Sequence, residues 1–336
     1  MNIADMHCDT ISLLLERRKK GGKDSLRRSD LHMDLEKMKK GGYLLQNFAL
    51  FLSLRKVENP LESVLEMADL YYEQLAENGD LIRPVYCYAD IERNVREGRM
   101  SAMLTVEEGG VCKGSLAFLR ILCRLGVRML TLTWNYPNEL GWPNLEQPGE
   151  KAGADFVPDF GKVNREQGLT ETGIAFVEEM ERLGMIVDVS HLSDAGFYDV
   201  ARVAKKPFVA SHSNARKVCG CCRNLDDDMI RCLAEHGGVT GLNYCPAFLE
   251  DAGEEGALHG SIAAIVRHAR HIVNVGGIEC LGLGSDFDGI SGHKELPDAS
   301  CMPLLVDAFG KAGFTQTQID KILFGNVLRL YRETLV

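Results

Sequence analysis

Short, almost wholly apolar runs alternate along the chain with longer segments in which apolar residues recur every three or four positions. The short runs predict β-strands, and the longer periods predict amphipathic helices. Thr170 and Ser193 are predicted to begin two of these helices as N-caps, and Gly184 is predicted to end the first of them. Strands are predicted near Ile3–Cys8, Tyr43–Leu52, Ala102–Val106, Arg128–Thr133, Met185–Ser190, Pro207–Ser211, Val239–Tyr244 and Cys280–Ser285.

Eight strands with intervening helices in 336 residues predict a (β/α)8 TIM barrel with long βα loops and C-terminal helices. We expect residues 1–336 to form a single domain. A doubly wound open sheet has the same alternation, but the chain lacks a glycine fingerprint after its first strand. The segments Asn135–Lys162 and Cys245–Gly260 are too long for ordinary connections, so both are predicted to be active-site loops. Thr315–Leu335 is predicted to form one or two closing helices.

Composition and charge narrow the class of protein. With 45% hydrophobic and 26% charged residues, the chain has the composition of a soluble globular protein. Its 38 basic and 48 acidic residues give a net charge of −10, which disfavours nucleic acid and anionic membranes as partners. We see no transmembrane run and no signal peptide, so no membrane association is expected. Eleven cysteines without a disulfide-framework spacing indicate a reducing, cytoplasmic location.

His7 and Asp9 lie one residue apart at the end of the first predicted strand. Alternate side chains of a strand point to the same face, so both are expected to face one point in space. In a barrel of this kind, the C-terminal ends of the strands meet at one rim, where active sites form. The candidate residues at this rim are His7, Asp9, Glu107, His191, His212 and Asp286.

These residue types are the ones that a pair of divalent metal ions requires, because one carboxylate must bridge the two ions. His7, Asp9 and Glu107 could serve one ion, and Glu107, His191 and His212 could serve the other. Zinc suits the mixed imidazole and carboxylate set best, so two Zn2+ per chain are expected, with Mn2+ or Fe2+ as substitutes. A water bridging the ions would lose a proton near neutral pH and act as the nucleophile.

Asp286 is not needed as a ligand in this scheme. It could accept the proton of the attacking water and pass that proton to a leaving amine. Acid/base chemistry and metal chemistry would then meet at one site.

The motifs that carry these residues occur in order along nearly the whole chain. They are His7-Cys8-Asp9, Val106-Glu107 with the glycines that follow, Gly184–His191, Ser211-His212-Ser213, Cys222-Arg223-Asn224, Gly284–Gly289 and Gly325–Arg329. Together they resemble the renal (membrane) dipeptidase family of the amidohydrolase superfamily. The resemblance implies a (β/α)8 barrel, two zinc ions and the hydrolysis of dipeptides.

The resemblance also implies which residues hold the metal ions. It assigns to the two zinc ions His7, Asp9, Glu107, His191 and His212. Either Glu107 or Glu108 could be the bridging acid, because the glycines that follow favour Glu108 and the strand and downstream helix favour Glu107. We prefer Glu107, since strand register decides which side chain faces the barrel axis.

The substrate contacts follow from the same resemblance. It implies that Asp286 also holds the free amine of the substrate and that Arg223 binds its carboxylate, a pairing that suits a guanidinium. Trp134 stands where well-studied family members carry a histidine, and an indole N–H cannot take up a proton. Asn135 is the alternative oxyanion donor, while Trp134 could simply pack under the long loop.

The leading hypothesis is therefore a cytoplasmic, two-zinc dipeptidase that acts on a small dipeptide through a metal-bridging hydroxide. A second hypothesis keeps the metal pair but hydrolyses another small amide, lactam or ester, since Trp134 departs from the family pattern. A third is a metal-bound barrel that binds peptides without turnover. A homodimer is expected from the family. His268 and His271 lie three residues apart on a predicted helix and could pair on one face, but we predict that both are surface histidines.

Overall fold

The computed structural model describes residues 1–149, 156–250 and 259–335. The strands in these residues are β1 (Ile3–Asp5), β2 (Tyr43–Phe51), β3 (Ile82–Pro84), β4 (Met100–Glu107), β5 (Val127–Thr131), β6 (Ile186–Asp188), β7 (Val209–Ala210), β8 (Val239–Leu242), β9 (His259–Gly260), β10 (Leu281–Leu283) and β11 (His293–Lys294).

Eight parallel strands close into a ring in the order β1, β2, β4, β5, β6, β7, β8 and β10. The ring closes because β10 pairs with β1, and β2 pairs with both β1 and β4. The predicted (β/α)8 TIM barrel is confirmed. The sequence did not predict three short strands: β3, which pairs beside the start of β4, and the two-stranded ribbon of β9 and β11.

Helices surround the barrel. Those in the described residues are α1 (Thr10–Lys19), α2 (Leu35–Gly41), α3 (Pro60–Glu77), α4 (Tyr88–Arg96), α5 (Leu116–Arg124), α6 (Glu171–Leu183), α7 (Asp194–Val203), α8 (Asp227–Glu235), α9 (Pro246–Leu249), α10 (Ile262–Gly276), α11 (Met302–Lys311), α12 (Gln316–Asp320) and α13 (Asn326–Thr334). Single 3-10 or π turns lie at Gly109–Cys112, Ile278–Cys280, Ala299–Cys301 and Lys321–Gly325.

The predicted helix boundaries are confirmed where local chemistry sets them. The hydroxyl of Thr170 accepts the N–H of Gly173 at the start of α6, and Ser193 caps α7 in the same way. Gly184 ends α6 with φ of +70°, a left-handed conformation that glycine adopts without a Cβ clash. The closing helices predicted within Thr315–Leu335 are α12 and α13.

The core divides into two apolar clusters, on the outer and inner faces of the barrel strands. Leu104 and Leu130 belong to the large cluster between strands and helices, whereas Met103 and Met129 belong to a smaller cluster inside the barrel. Adjacent residues of one strand point to opposite faces, so β4 and β5 each supply both clusters. Tyr331 of α13 packs into the inner cluster and helps to close the barrel interior.

His268 is the clear error among the sequence predictions. It is fully buried rather than exposed, and its ring accepts the N–H of Ala215 and bonds to the carbonyl of Leu249. The apolar face of α10 includes position 268, so the ring joins two loops instead of facing solvent. His271 is half-buried, and its Nε2 lies 2.6 Å from Asp227 Oδ1.

The two predicted active-site loops are described only in part. Residues 150–155 of Asn135–Lys162 and residues 251–258 of Cys245–Gly260 lie outside the described residues. The second loop begins with the short helix α9 rather than with irregular chain. None of the helices in the described ranges has the length and apolar character that crossing a bilayer requires.

Candidate metal and catalytic site

His7 lies just beyond β1, where a buried carboxylate fixes its backbone. Oδ1 of Asp5 accepts the N–H of His7 at 3.1 Å and the N–H of Ser285 at 3.0 Å, which joins the end of β1 to the end of β10. Asp5 is fully buried, and it is the last residue of β1. Closure of the barrel therefore brings the His7 side chain beside the loop that follows β10.

Three carboxylates surround the His7 ring. Its Nε2 lies 3.2 Å from Glu107 Oε2, 3.8 Å from Asp9 Oδ2 and 4.0 Å from Asp286 Oδ1. All four side chains are buried. The residues expected at the strand ends of β1, β4 and β10 therefore meet at one rim.

The other two histidines lie on the far side of Glu107. Its Oε1 is 2.9 Å from His191 Nε2 and 3.6 Å from His212 Nε2, and those two nitrogens are 3.0 Å apart. The rings of His7 and His212 stack with centroids 3.9 Å apart. Glu107 thus presents one oxygen to His7 and the other to His191 and His212.

The orientation of His212 follows from a relay of hydrogen bonds. The Ser211 hydroxyl donates to Asp188 Oδ2 at 2.6 Å, so its oxygen is left to accept from His212 Nδ1 at 2.7 Å. An imidazole protonated on Nδ1 carries its lone pair on Nε2. Asp188, the last residue of β6, therefore turns the free nitrogen of His212 toward Glu107.

His191 is oriented by the long loop after β5. Its Nδ1 lies 2.8 Å from Asn135 Oδ1, so the amide oxygen accepts the ring proton and leaves Nε2 free. His191 has φ of +69°, a left-handed conformation that turns the chain sharply after β6. Sequence reasoning placed Asn135 near the substrate, but it gave no sign of this contact.

Burial dominates the electrostatics of the site. It raises the pKa of Asp9 to about 6 and that of Asp286 to about 7, because a buried carboxylate loses its hydration. Burial lowers the pKa of His191 to about 4 for the same reason, since the imidazolium is the charged form. A divalent cation would reverse this penalty by stabilising the ionised carboxylates and the neutral ring.

The residues present fit a divalent metal. Buried polar atoms are normally paired, yet His7 Nε2 and Asp9 Oδ1 are buried without a hydrogen-bond partner. The ligand atoms of two groups, His7–Glu107–His212 and His7–Asp9–Asp286, all lie within 4.8 Å of one another within each group. Imidazole nitrogens mixed with carboxylate oxygens suit zinc, and also manganese or iron.

Asp286 and Asp288 separate into different environments, although both belong to one short motif. Oδ2 of Asp286 accepts from Asn243 Nδ2 at 2.9 Å, which leaves Oδ1 facing His7. Asp288 instead accepts the Thr10 hydroxyl at 2.7 Å and the backbone N–H of His32, also at 2.7 Å, which holds the loop before α2. Sequence reasoning did not predict Asn243, because only barrel closure brings the end of β8 beside Asp286.

Glu108 turns away from the histidines. Its φ is +104°, and its Oε1 accepts from Gly110 N at 2.9 Å and from Asn138 Nδ2 at 2.6 Å. Its Oε2 faces the backbone N–H of Trp134 at 3.4 Å. The strand register therefore places Glu107, and not Glu108, among the imidazoles.

Arg223 lies behind His212, with 3% of its surface exposed. Its guanidinium donates to the His212 carbonyl at 3.4 Å and to the Ser213 hydroxyl at 3.5 Å, and it lies 5.4 Å from the Phe248 ring centroid. Its Nε has no partner, and no ion pair joins it to a carboxylate in the described ranges. A buried cation of this kind is suited to bind an anionic group of a ligand.

Trp134 packs against the mouth of the site. Its ring makes edge contacts with Phe51 and Tyr136, at centroid distances of 5.0 and 5.5 Å, and lies 6.2 Å from His191. It also lines a cavity of about 520 Å³ that reaches Asp9. Trp134 therefore supplies an apolar wall beside the metal-type residues.

Comparisons with known proteins agree with this geometry. A family model described as membrane dipeptidase (peptidase family M19) matches residues 1–335. An uncharacterised dipeptidase of Schizosaccharomyces pombe is 33% identical over 316 residues, which cover 90% of this chain and 72% of that one. The solved structure of dipeptidase AC, a metallopeptidase of family M19, is 28% identical with a TM-score of 0.86, covering 100% of this chain and 99% of that one.

A second solved structure is a metallopeptidase from Rhodobacter sphaeroides, bound to a phosphinate mimic of the dipeptide L-Ala-D-Ala. It is 27% identical to this chain, covers 99% of both chains and has a TM-score of 0.84. The barrel, the rim of histidines and carboxylates and these matches lead to one conclusion. The chain belongs to the membrane dipeptidase family, peptidase family M19, and the two solved structures compared above are metallopeptidases.

Proposed function

We propose that the protein is a zinc-dependent dipeptidase with two metal ions per chain. His7, Asp9 and Glu107 would hold one ion, and Glu107, His191 and His212 would hold the other. Mn2+ or Fe2+ could replace zinc, because the same ligand atoms suit all three. When bound, the two ions would polarise the scissile carbonyl and lower the pKa of the attacking water.

The observation that carries this proposal is the position of Glu107 between two sets of imidazoles. Its Oε2 is 3.2 Å from His7 Nε2, and its Oε1 is 2.9 Å from His191 Nε2. A carboxylate whose two oxygens face different nitrogen ligands has the arrangement that a bridging ligand needs. Hydrogen bonds to Ser211 and Asn135 already orient two of these imidazoles.

Asp286 would act as the general acid and base of the reaction. Its Oδ1 faces the site while Asn243 holds its Oδ2, so one oxygen is free to take a proton from the attacking water. The same carboxyl would give that proton to the departing amine nitrogen as the peptide C–N bond breaks. Because Oδ1 of Asn135 is engaged by His191, its amide nitrogen is the group left to donate to the oxyanion.

The charges at the site also account for substrate length. Arg223 would bind the C-terminal carboxylate of the substrate, and Asp286 would bind its free amine. A third residue at either end would place a neutral amide against a buried charge, which is costly. Blocked substrates such as N-acetyl-Ala-Gly and Ala-Gly-amide should therefore be cleaved far more slowly than Ala-Gly.

The proposal extends to location and assembly. Buried thiols such as Cys8 and Cys280 support a reducing, cytoplasmic location. The homodimer expected from the family remains a prediction, and light scattering on the purified protein will test it.

The test combines metal content with turnover. We expect two zinc ions per chain by elemental analysis and cleavage of Ala-Gly by the zinc-loaded protein. Asp286→Asn should keep its zinc and lose at least about 100-fold in kcat. Asp307→Asn, which changes an exposed carboxylate on α11, is the matched control and should retain full activity. Zinc-loaded protein that cleaves no dipeptide, or unchanged turnover in Asp286→Asn, would overturn the proposal.

A further inference from the structure

The cavity of about 520 Å³ lies beside the metal-type residues, between α1 and the start of α3. Its size is within the range of roughly 300–1,000 Å³ that is usual for small-molecule sites. The apolar side chains that line it are Leu13, Leu15, Phe51, Leu52, Val57, Met67 and Trp134. The cavity is therefore a built pocket whose wall is mostly apolar.

Gly289 lies where this pocket meets the site. A Cβ at position 289 would lie 1.9 Å from Asp9 Oδ2 and 2.6 Å from Asp286 Oδ1, so a larger residue would displace both carboxylates. Asp9 and Gly289 both line the pocket. A ligand held by Asp286 would thus have open space beside it in the direction of the pocket.

Arg223 lies on another side of the site. It contacts His212, Ser213 and Phe248, and it does not line the pocket. A dipeptide with its amine at Asp286 and its carboxylate at Arg223 would have its first residue nearest to the pocket. The side chain of its second residue would lie farther away, toward Arg223.

We propose that this pocket binds the side chain of the N-terminal residue and selects dipeptides that begin with a bulky apolar residue such as Leu, Met or Phe. The proposal rests on the proposed function, which orients the substrate. Packing against Phe51, Met67 and Trp134 removes the apolar side chain of the first residue from water. This stabilises both the bound substrate and the transition state, so kcat/KM should rise.

Charged residues at the pocket do not favour an acidic or basic side chain instead. Three of them, Glu16, Lys19 and Lys56, are exposed at its outer edge, where Lys19 pairs with Glu66 and Glu16 with Lys20. The other two are Asp9, a proposed metal ligand, and Asp288, which accepts the Thr10 hydroxyl. Leu52 and Met67, in contrast, are buried, so the inner wall that a side chain would contact is apolar.

The experiment compares kcat/KM for Ala-Gly, Leu-Gly and Phe-Gly, and for the reversed series Gly-Ala, Gly-Leu and Gly-Phe. We expect Leu-Gly and Phe-Gly to exceed Ala-Gly by roughly 10- to 50-fold, as the extra buried carbons predict. In the reversed series, kcat/KM should vary much less from one dipeptide to the next.

Two variants narrow the pocket from different elements. Ser63→Trp acts from the first turn of α3, and Val57→Trp acts from the preceding loop. In each, the Leu-Gly to Ala-Gly ratio of kcat/KM should fall to about 2 or less. Leu65→Trp is the matched control, because Leu65 lies on the same helix, is 43% exposed and does not line the pocket. It should keep the wild-type ratio.

The outcomes separate the two proposals. If zinc-loaded protein cleaves none of these dipeptides, the proposed function itself fails. If Ala-Gly is cleaved but the ratio is near 1 in the wild type, or stays at its wild-type value in both Ser63→Trp and Val57→Trp, the pocket does not select the first residue. A preference confined to the reversed series would also overturn the inference.

Discussion

Oδ1 of Asn135 lies 2.8 Å from Nδ1 of His191, and this hydrogen bond joins the loop after β5 to the turn after β6. It leaves Nε2 of the ring unprotonated and 2.9 Å from Glu107. The neighbouring His212 reaches the same state through Ser211 and Asp188. Two histidines of one site thus have their tautomer set by different partners.

Removing this contact should weaken metal binding. Asn135→Ala takes away the acceptor for the ring proton of His191, so the imidazole can turn or change tautomer. We expect zinc affinity to fall by about 10- to 100-fold, measured by titration against a chelator of known affinity. Tyr136→Phe is the control on the same loop, because it keeps the ring that packs on Trp134. Equal zinc affinity in Asn135→Ala and wild type would contradict this role.

Two buried aspartates at strand ends should respond differently to amide substitution. Asp188 accepts four hydrogen bonds, two on each carboxylate oxygen, from Thr131, Ser190 and Ser211. An amide nitrogen at Oδ1 would face two N–H donors, and at Oδ2 it would force the Thr131 and Ser211 hydroxyls to turn and accept, so Asp188→Asn should lower the free energy of unfolding by about 2 kcal/mol.

Asp5 offers the matched comparison. Its Oδ1 accepts two backbone N–H groups, but its Oδ2 is buried without a partner, and burial raises its pKa. An amide nitrogen at the Oδ2 position displaces no hydrogen bond, so Asp5→Asn should cost less than about 1 kcal/mol. Chemical denaturation of both variants checks the pair, and equal losses would refute the explanation.

The buried His268 should make stability depend on pH. Burial lowers its pKa to about 4 from the usual 6.5. Between pH 6.5 and 4 the unfolded chain binds a proton that the folded chain does not. The contribution of His268 to the free energy of unfolding is therefore fully present above pH 6.5. It decreases by up to about 3 kcal/mol as the pH falls toward 4.

His268→Gln tests this prediction, because glutamine can keep hydrogen bonds to Ala215 and Leu249 but cannot titrate. The unfolding free energy of the wild type minus that of the variant should be largest near pH 7 and should decrease toward pH 4. Denaturation curves at several pH values give this difference. A difference that stays constant from pH 7 to pH 4 would rule out the assigned pKa.

Metal removal should lower the stability of the fold, because the buried carboxylates of Asp9, Glu107 and Asp286 would then lie close together without a cation to offset their charge. Zinc at 1,000 times its dissociation constant should stabilise the protein by about 4 kcal/mol per site, measured as a shift in thermal unfolding. Glu107→Gln should abolish most of that shift. Glu108→Gln is the control for an adjacent carboxylate, and it should keep the shift. The reverse pattern would show that Glu108 is the ligand.

The elements and the types of residue at the rim were readable from local patterns. Apolar runs marked the eight barrel strands, and Thr170 and Gly184 marked the ends of α6, since capping and turn preferences act within a few residues. The histidines and carboxylates at the strand ends also stood out, because a parallel barrel brings all such ends to one rim.

Side-chain partners across strands were not readable in the same way. The contact between Asn135 and His191, the bond from Asn243 to Asp286 and the burial of His268 all join segments far apart in the chain. Only the register of neighbouring strands and the closure of the barrel bring such atoms within hydrogen-bond distance. Local patterns therefore specified which residues would line the rim, whereas the packed barrel decided how each ring and carboxylate is turned, because orientation depends on long-range contacts.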